Sequence, residues 1–203
     1  MTIAEERRDQ LKKIKDEVVA LIGVALADER RKNGVYPVIG EGNHCADIMF
    51  VGEAPGKNEA ATARPFVGAA GKFLNELIES VGLKRDDVYI TNIVKDRPTD
   101  NRDPLPDEIE TYGPFLDRQI DIIQPKVIAT LGRFSMVYIM KKFGLDLDIE
   151  PISQAHGKAY EATSSYGRVN IFPLYHPAAA LYNGSLRGVL KEDFKILKKY
   201  SQQ

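Results

Sequence analysis

A chain of 203 residues that is 43% hydrophobic, with 28 Lys and Arg against 29 Asp and Glu, fits one domain with a sizeable core. The net charge of −1 excludes a polycation, so any nucleic-acid contact must come from a local basic face. Residues 1–15 are charged throughout, no apolar run approaches the roughly 20 residues of a membrane span, and the lone Cys45 forms no internal disulfide; the expectation is a cytoplasmic domain in a reducing setting.

Residues 3–27 favour a helix, with Ile3, Leu11, Ile14, Val18, Leu21 and Ile22 on one face, and residues 28–34 read as a polar break. Tyr36 to Ile39 lead into a turn-rich loop at residues 40–43. Residues 48–51 are an apolar run too short for a helix, hence a buried strand, which Gly52 ends. The loop beyond carries Glu53, the Pro55–Gly56 pair, Glu59, and Phe66 between Pro65 and Val67. Residues 72–81 read as a helix stopped at Gly82. A second strand is expected over 88–94 with Asn92 embedded in it, then a basic, proline-bearing loop over 95–106. A helix over 107–123 stops at Pro125. A third strand follows over 127–131, and Gly132 turns it into a helix over 133–143. Residues 149–166 fit a hairpin or irregular segment. The fourth strand, 169–175, ends at His176, and residues 186–200 close the chain as a basic helix with Leu190, Phe194 and Leu197 on one face.

This alternation predicts an α/β fold: one domain with a central, mostly parallel, four-stranded sheet flanked by helices on both faces, and a helical segment over residues 1–30 packed on it. Sites in such sheets lie beyond the carboxyl ends of the strands, where Glu53, Asn92 and His176 should converge.

An Asn inside an apolar strand is costly unless its amide is hydrogen-bonded. Asn92 either caps a neighbouring loop or reads a flat amide-like ligand; its paired acceptor and donor match the N3–H and O4 edge of uracil. Phe66, flanked by Pro and Gly, suits stacking on a base. An imidazole N–H of His176 suits donation to an oxygen that gains negative charge as a bond breaks. Glu53 suits orienting a water or offsetting positive charge on a sugar, and Glu59 suits walling the pocket. His44 and His156 read as surface residues and Cys45 as structural. Three His and one Cys without ligand spacing argue against zinc, and neither a GxGxxG nor a Walker pattern is present.

The strings VGEAPGKNE, RPFVGAAGKFL, VYITNIVKDRP, NRDPLPDEI, PKVIATLG and LYHPAA, in that order, resemble the uracil-DNA glycosylase superfamily, most nearly its family 4, from about residue 40 to about residue 190. The resemblance implies that Glu53 handles the hydrolytic water and that Glu59 sits near uracil C5, where it excludes thymine's methyl. It makes Phe66 the stacking ring, Asn92 the uracil-reading amide, Gly52 part of the base site, and His176 the donor to uracil O2. Residues 179–186, with Leu181 and Tyr182, match the segment that pushes into duplex DNA. Lys57, Arg64, Lys95, Arg97, Arg102 and Arg187 are the candidate phosphate ligands.

One departure stands out. Family 4 members carry four cysteines that bind a four-iron four-sulfur cluster, whereas here Asp96 and Tyr112 stand at two of those positions and residues 21–31 contain no cysteine. The expectation is no iron and no other cofactor, with packing around Tyr112 or Tyr36 tying the N-terminal segment to the middle loop. The long insertion of the suicide-type relatives is missing between Val94 and Asp107, so turnover is expected. The expected function is therefore monofunctional hydrolysis of deoxyuridine in single- or double-stranded DNA by a monomer away from membranes. The competing readings are action on another deaminated or mismatched base, and a catalytically silent DNA-binding relative.

Overall fold

The computed structural model describes residues 2–200. The sheet is built first from β2 (Ile48–Gly52), β3 (Tyr89–Asn92), β4 (Val127–Leu131) and β6 (Gly167–Leu174), all parallel, preceded by the two-residue β1 (Glu41–Gly42) and joined by β5 (Tyr160–Ser164). The order is β1-β3-β2-β4-β6-β5, with β1 and β5 antiparallel at the two edges. Six strands thus stand where four are expected. Two residues of β1 are too few to show a period, and β5 is a half-exposed edge with a polar sequence that reads as irregular. The antiparallel register of β5 on β6, Tyr160 opposite Ile171 and Ser164 opposite Gly167, realises the hairpin reading of residues 149–166.

Strand alternation divides the core. Met49 and Val51 face one side, where Leu11, Ile14 and Val18 of α1 (Ile3–Ala20) join Tyr112, Leu116 and Ile120 of α5 (Pro106–Ile123) and Ile139 and Met140 of α6 (Arg133–Lys142). Ile48 and Phe50 face the other, against Phe73, Leu74, Leu77 and Ile78 of α4 (Ala69–Ser80) and Leu190 and Phe194 of α9 (Ser185–Phe194). Every residue of β2, β3 and β4 is buried, as a parallel sheet covered on both faces requires.

The N-terminal segment is two helices, not one. α1 starts on a capping box in which Thr2 Oγ1 accepts from the Glu5 amide and Glu5 accepts from the Thr2 amide. It ends at Ala20, and the stretch read as a polar break is α2 (Ala25–Asn33). The misreading has one cause: Arg30, counted as a solvated charge, is buried. Its guanidinium donates to the Val18 and Val19 carbonyls at the end of α1, 3.2 and 2.9 Å, and to both oxygens of Asp96 at 3.0 Å. Tyr112 of α5 donates its hydroxyl to Asp96 at 2.6 Å. Three distant segments are thereby tied through one carboxylate, which burial pushes up in pKa against the pull of Tyr112 and Arg30. Tyr36, the other residue expected in this role, is 57% exposed and plays no part in the knot.

Among the shorter helices are α3 (Lys57–Thr62) in the acidic loop, α7 (Ile152–Ala155) before β5, and α8 (Ala179–Tyr182) after His176. Among the described residues, no helix is long and apolar enough to cross a membrane.

Removing one partner of a buried ion pair leaves the other charge uncompensated. Asp96→Ala should therefore cost about 3–5 kcal/mol in urea unfolding. A variant within about 0.5 kcal/mol of the parent, the range of ordinary surface substitutions, would show that the knot does not hold these segments.

Candidate active site

The carboxyl ends of β2, β3 and β6 open on a cleft of about 550 Å³ lined by Glu53, Glu59, Phe66, Asn92 and His176. All five side chains singled out from the sequence meet there, as the sheet topology demands. Asn92 ends β3, directly across the register from Gly52 at the end of β2. Main-chain bonds from Ile93 to Gly52 and from Val94 to Glu53 carry the pairing past both strand ends, so the loop that bears Glu53 leaves the sheet in a fixed direction.

Phe66 is held in a way no periodicity reveals. Its φ is +51°, left-handed backbone that a bulky residue adopts only when its surroundings enforce it, at a cost of order 1–3 kcal/mol. Arg85 enforces it. Its guanidinium donates to the Pro65 carbonyl at 2.5 Å, the Phe66 carbonyl at 3.4 Å and Asn75 Oδ1 at 2.8 Å, and it is ion-paired with Glu41. The Phe66 carbonyl then presses on α4 so closely that a Cβ at Gly71 would lie 1.8 Å from its oxygen. The phenyl ring lies over Gly52, where a Cβ would meet Phe66 Cζ at 2.7 Å and Asn92 Oδ1 at 2.3 Å. Its centroid is 5.6 Å from that of the His176 ring, with 28° between the planes.

Asn92 is 2% exposed, and its Oδ1 is buried without a hydrogen-bond partner. Among the described residues its oxygen caps no loop N–H, which a loop-capping Asn oxygen would accept. An unpaired buried acceptor costs about 1–3 kcal/mol and invites a donor from a ligand.

The ionisable groups are fixed from the backbone. Glu59 Oε1 accepts from the Val67 and Gly68 amides, both at 2.9 Å, at the head of α4. Glu53 Oε1 accepts from the Phe134 amide at 3.1 Å, in the first turn of α6. Burial raises the Glu53 pKa above its ordinary value; the Phe134 amide opposes this, nearby Asp103 adds to it, and Arg133 opposes it. His176 is pushed down to about 4 by burial, with Glu59 pulling weakly the other way, so its imidazole is neutral near pH 7. The Ala178 amide donates to His176 Nδ1 at 3.1 Å, which makes Nδ1 the acceptor and leaves the ring proton on Nε2. The site therefore presents a flat ring, an unpaired acceptor, a neutral N–H donor and a carboxylate of raised pKa.

The candidate DNA contacts divide. Leu181 and Tyr182 line the mouth of the cleft, 44% and 92% exposed. Lys57 is exposed on α3. Arg64 is exposed and paired with Glu41, Arg97 donates to Asn101 Oδ1 at 2.7 Å, Arg102 grips Glu108, and Arg187 bridges to Glu76 with its guanidinium 4.1 Å from the Phe73 ring centre. Lys95 needs correction: it is 0% exposed, folded inward beneath β3, and cannot reach a phosphate. His156 also departs from the surface reading, since its Nδ1 lies 2.8 Å from Asp193 in a half-buried pair. Cys45 is exposed. Arg85 was missed altogether, because the KRDD stretch in which it sits reads as an ordinary charged turn. Asn101 and Asp103, which line the cleft, were passed over as loop.

Asp96 and Tyr112 stand at two positions where the resemblance expects cluster cysteines. Asp96 has both oxygens engaged by Arg30 and Tyr112, Tyr112 is bonded to Asp96, and neither supplies a thiolate. Among the described residues no group of three or more His, Cys, Asp and Glu side chains is placed to hold a metal.

Residues 39–198 match the family model described as the uracil DNA glycosylase superfamily. Among curated proteins, the chain is 51% identical over 191 residues to the type-4 uracil-DNA glycosylase of Sulfurisphaera tokodaii, covering 94% of this chain and 84% of that one. It is 53% identical over 170 residues to that of Saccharolobus solfataricus (83% and 76%), and 46% identical over 180 residues to that of Archaeoglobus fulgidus (89% of both chains).

Overpacking at a tight contact typically costs about 1–3 kcal/mol. Gly52→Ala should lose that much in urea unfolding and shift the ring resonances of Phe66. A variant with parental stability and an unmoved ring would contradict the packing described for the base of the cleft.

Proposed function

This chain belongs to the uracil DNA glycosylase superfamily, and from that premise we propose that it hydrolyses the N-glycosidic bond of deoxyuridine in DNA, releasing uracil and leaving an abasic site. One observation supports the reading above the others: the unpartnered Asn92 Oδ1, the Phe66 ring and the neutral His176 donor line one cleft at the strand tips. Those are the acceptor, the stacking face and the oxyanion donor that a flipped uracil needs.

The geometry supports the following course for the reaction. Lys57 and the arginines around the cleft hold phosphates, and Tyr182 and Leu181 enter the stack where the nucleotide leaves. Flipping costs a few kcal/mol, less in single strands or at a mismatch. Phe66 stacks on the base, worth roughly 1–3 kcal/mol. Asn92 Oδ1 accepts the N3–H and its amide N–H group meets O4; cytosine offers the reverse pattern and leaves the buried amide mismatched. Glu59, anchored on the Val67 and Gly68 amides, stands beside C5 and closes the space a methyl would fill. As the C1′–N1 bond breaks, charge gathers on the pyrimidine, and the Nε2–H of His176 donates to O2. Glu53 directs water to C1′ and takes its proton. No metal or organic cofactor has a role in these steps, and the Arg30–Asp96–Tyr112 knot supports our reading that the chain works without iron. We take the enzyme to be a cytoplasmic monomer that acts on uracil in single- or double-stranded DNA.

Incubation with a deoxyuridine oligonucleotide followed by alkali should cut the strand at the uracil; an intact strand would refute the reading. Glu53→Ala and His176→Ala should each lower single-turnover cleavage about 10²–10³-fold with little change in melting temperature. An undiminished rate in either variant removes the role given to that residue.

The pH dependence follows from the signs. The working form of Glu53 is ionised and its pKa is raised, so activity should fall on the acid side through a midpoint above the ordinary glutamate value of about 4.3. His176, pushed down to about 4 by burial, is neutral near pH 7, so the loss on the acid side begins with Glu53, whose pKa is raised. The limb should move in Glu53→Asp, and a profile with its midpoint at or below the ordinary value would contradict the assignment.

A further inference from the structure

Beneath Asn92 lies a buried cluster that the reaction above does not use. Lys95 Nζ donates to the Asn92 main-chain carbonyl at 2.6 Å, to Thr91 Oγ1 at 2.9 Å and to Gln119 Oε1 at 2.5 Å. The Thr91 hydroxyl gives its proton to the Ile39 carbonyl at 2.7 Å, and Gln119 Nε2 donates to the same carbonyl at 2.9 Å and to the Tyr89 hydroxyl at 3.2 Å. Both therefore turn acceptors toward the lysine. An ammonium has three N–H groups and no lone pair, matching three oxygens; a neutral amine would set its lone pair against one of them.

Among the described residues, no carboxylate bonds this nitrogen. The nearest acid in sequence, Asp96, is committed to Arg30 and Tyr112. Burial alone pushes the lysine well below its ordinary pKa, and the three oxygens work against that push. Three oxygen acceptors around one nitrogen fit a lysine held as an ammonium, a positive charge in a low-dielectric site bonded to the backbone of the residue whose side chain faces the base, with no counter-charge in contact among the described residues. The base acquires a complementary charge only while it leaves.

We propose that Lys95 is a positioning residue whose buried ammonium fixes Asn92 and biases the cleft toward an anionic pyrimidine, lowering the barrier to its departure. The inference rests on the reading of the cleft as a deoxyuridine site and adds a source of leaving-group stabilisation behind the pocket. No proton passes to or from Lys95. The C1′–N1 bond breaks with both electrons going to N1, the C1′–O bond forms from water, and Glu53 accepts the water's proton.

The test compares single-turnover rates of the parent, Lys95→Met and Lys95→Gln on oligonucleotides carrying deoxyuridine or 5-fluorodeoxyuridine. Fluorine makes the base more acidic, so the fluorinated leaving group depends less on help from the protein. Both variants should lose about tenfold or more on deoxyuridine and less on the fluorinated substrate, so the fluoro-to-uracil rate ratio rises while KM changes little. An unchanged ratio in both, with equal losses on the two substrates, would reduce Lys95 to a structural role and overturn the proposal. A parental ratio in Lys95→Gln, which keeps N–H donors without the charge, would overturn it as well. Should a variant fail to fold, the parent supplies its own check: inhibition by free uracil must strengthen as pH rises and uracil ionises, and weakening inhibition contradicts the proposal. A parent inactive on deoxyuridine defeats the reading of the cleft; an active parent with unaltered ratios in the variants defeats the role of Lys95 alone.

Discussion

A buried acceptor without a donor is the constraint around which this molecule is arranged. Asn92 Oδ1 is shut from water and carries the penalty of an unmade hydrogen bond. The fold sustains it because the carbonyl of the same residue is gripped by Lys95, and because Gly52 across the strand register, under the Phe66 ring, has no side chain to displace it. Each support draws on another. The ring stays in place because Arg85 holds two carbonyls of its loop and Gly71 lets that loop lie on α4. Strain in the Phe66 backbone and the unsatisfied amide stand next to each other, as expected where binding rather than folding determined the residues.

A second knot serves the frame. Arg30, Asp96 and Tyr112 join the end of α1, the loop after β3 and α5 through charged hydrogen bonds with almost no exposure. The loop it anchors continues through Pro98, Asn101 and Asp103, which line the cleft. Asp96 follows Lys95 directly in the chain, so one dipeptide turns a cation under the base site and an anion toward the N-terminal helices. This gives the charged N-terminal segment a structural reason to exist: the end of α1 and the buried side of α2 complete the wall that steadies the loop.

Most of the sheet, and the meeting of Glu53, Glu59, Phe66, Asn92 and His176 at one cleft, were legible in the residues. Short apolar runs bounded by Gly and Pro marked β2, β3, β4 and β6, and polar residues at their ends, Glu53, Asn92 and His176, could only meet at one rim. What was not legible shares one property: side chains whose composition says surface and whose position says core. Lys95 looked like a phosphate ligand, Arg30 like part of a polar break, and Arg85 drew no reading at all. All three have aliphatic stems long enough to bury and polar heads held by at least one oxygen contributed from a distant part of the chain, Gln119 for Lys95, Asp96 for Arg30 and the Pro65 and Phe66 carbonyls for Arg85, and no local pattern announces such partners. The edge strands escaped for a simpler reason, since two residues of β1 and the half-exposed β5 carry no apolar period.

The measurement closest to the central claim is a crystal structure of the protein with uracil. The account predicts the base lying against the Phe66 ring, its N3–H donated to Asn92 Oδ1, its O2 facing the Nε2–H of His176 and its C5 edge beside Glu59. Uracil bound in another cavity, or in this cleft with its N3 edge turned away from Asn92, would contradict it.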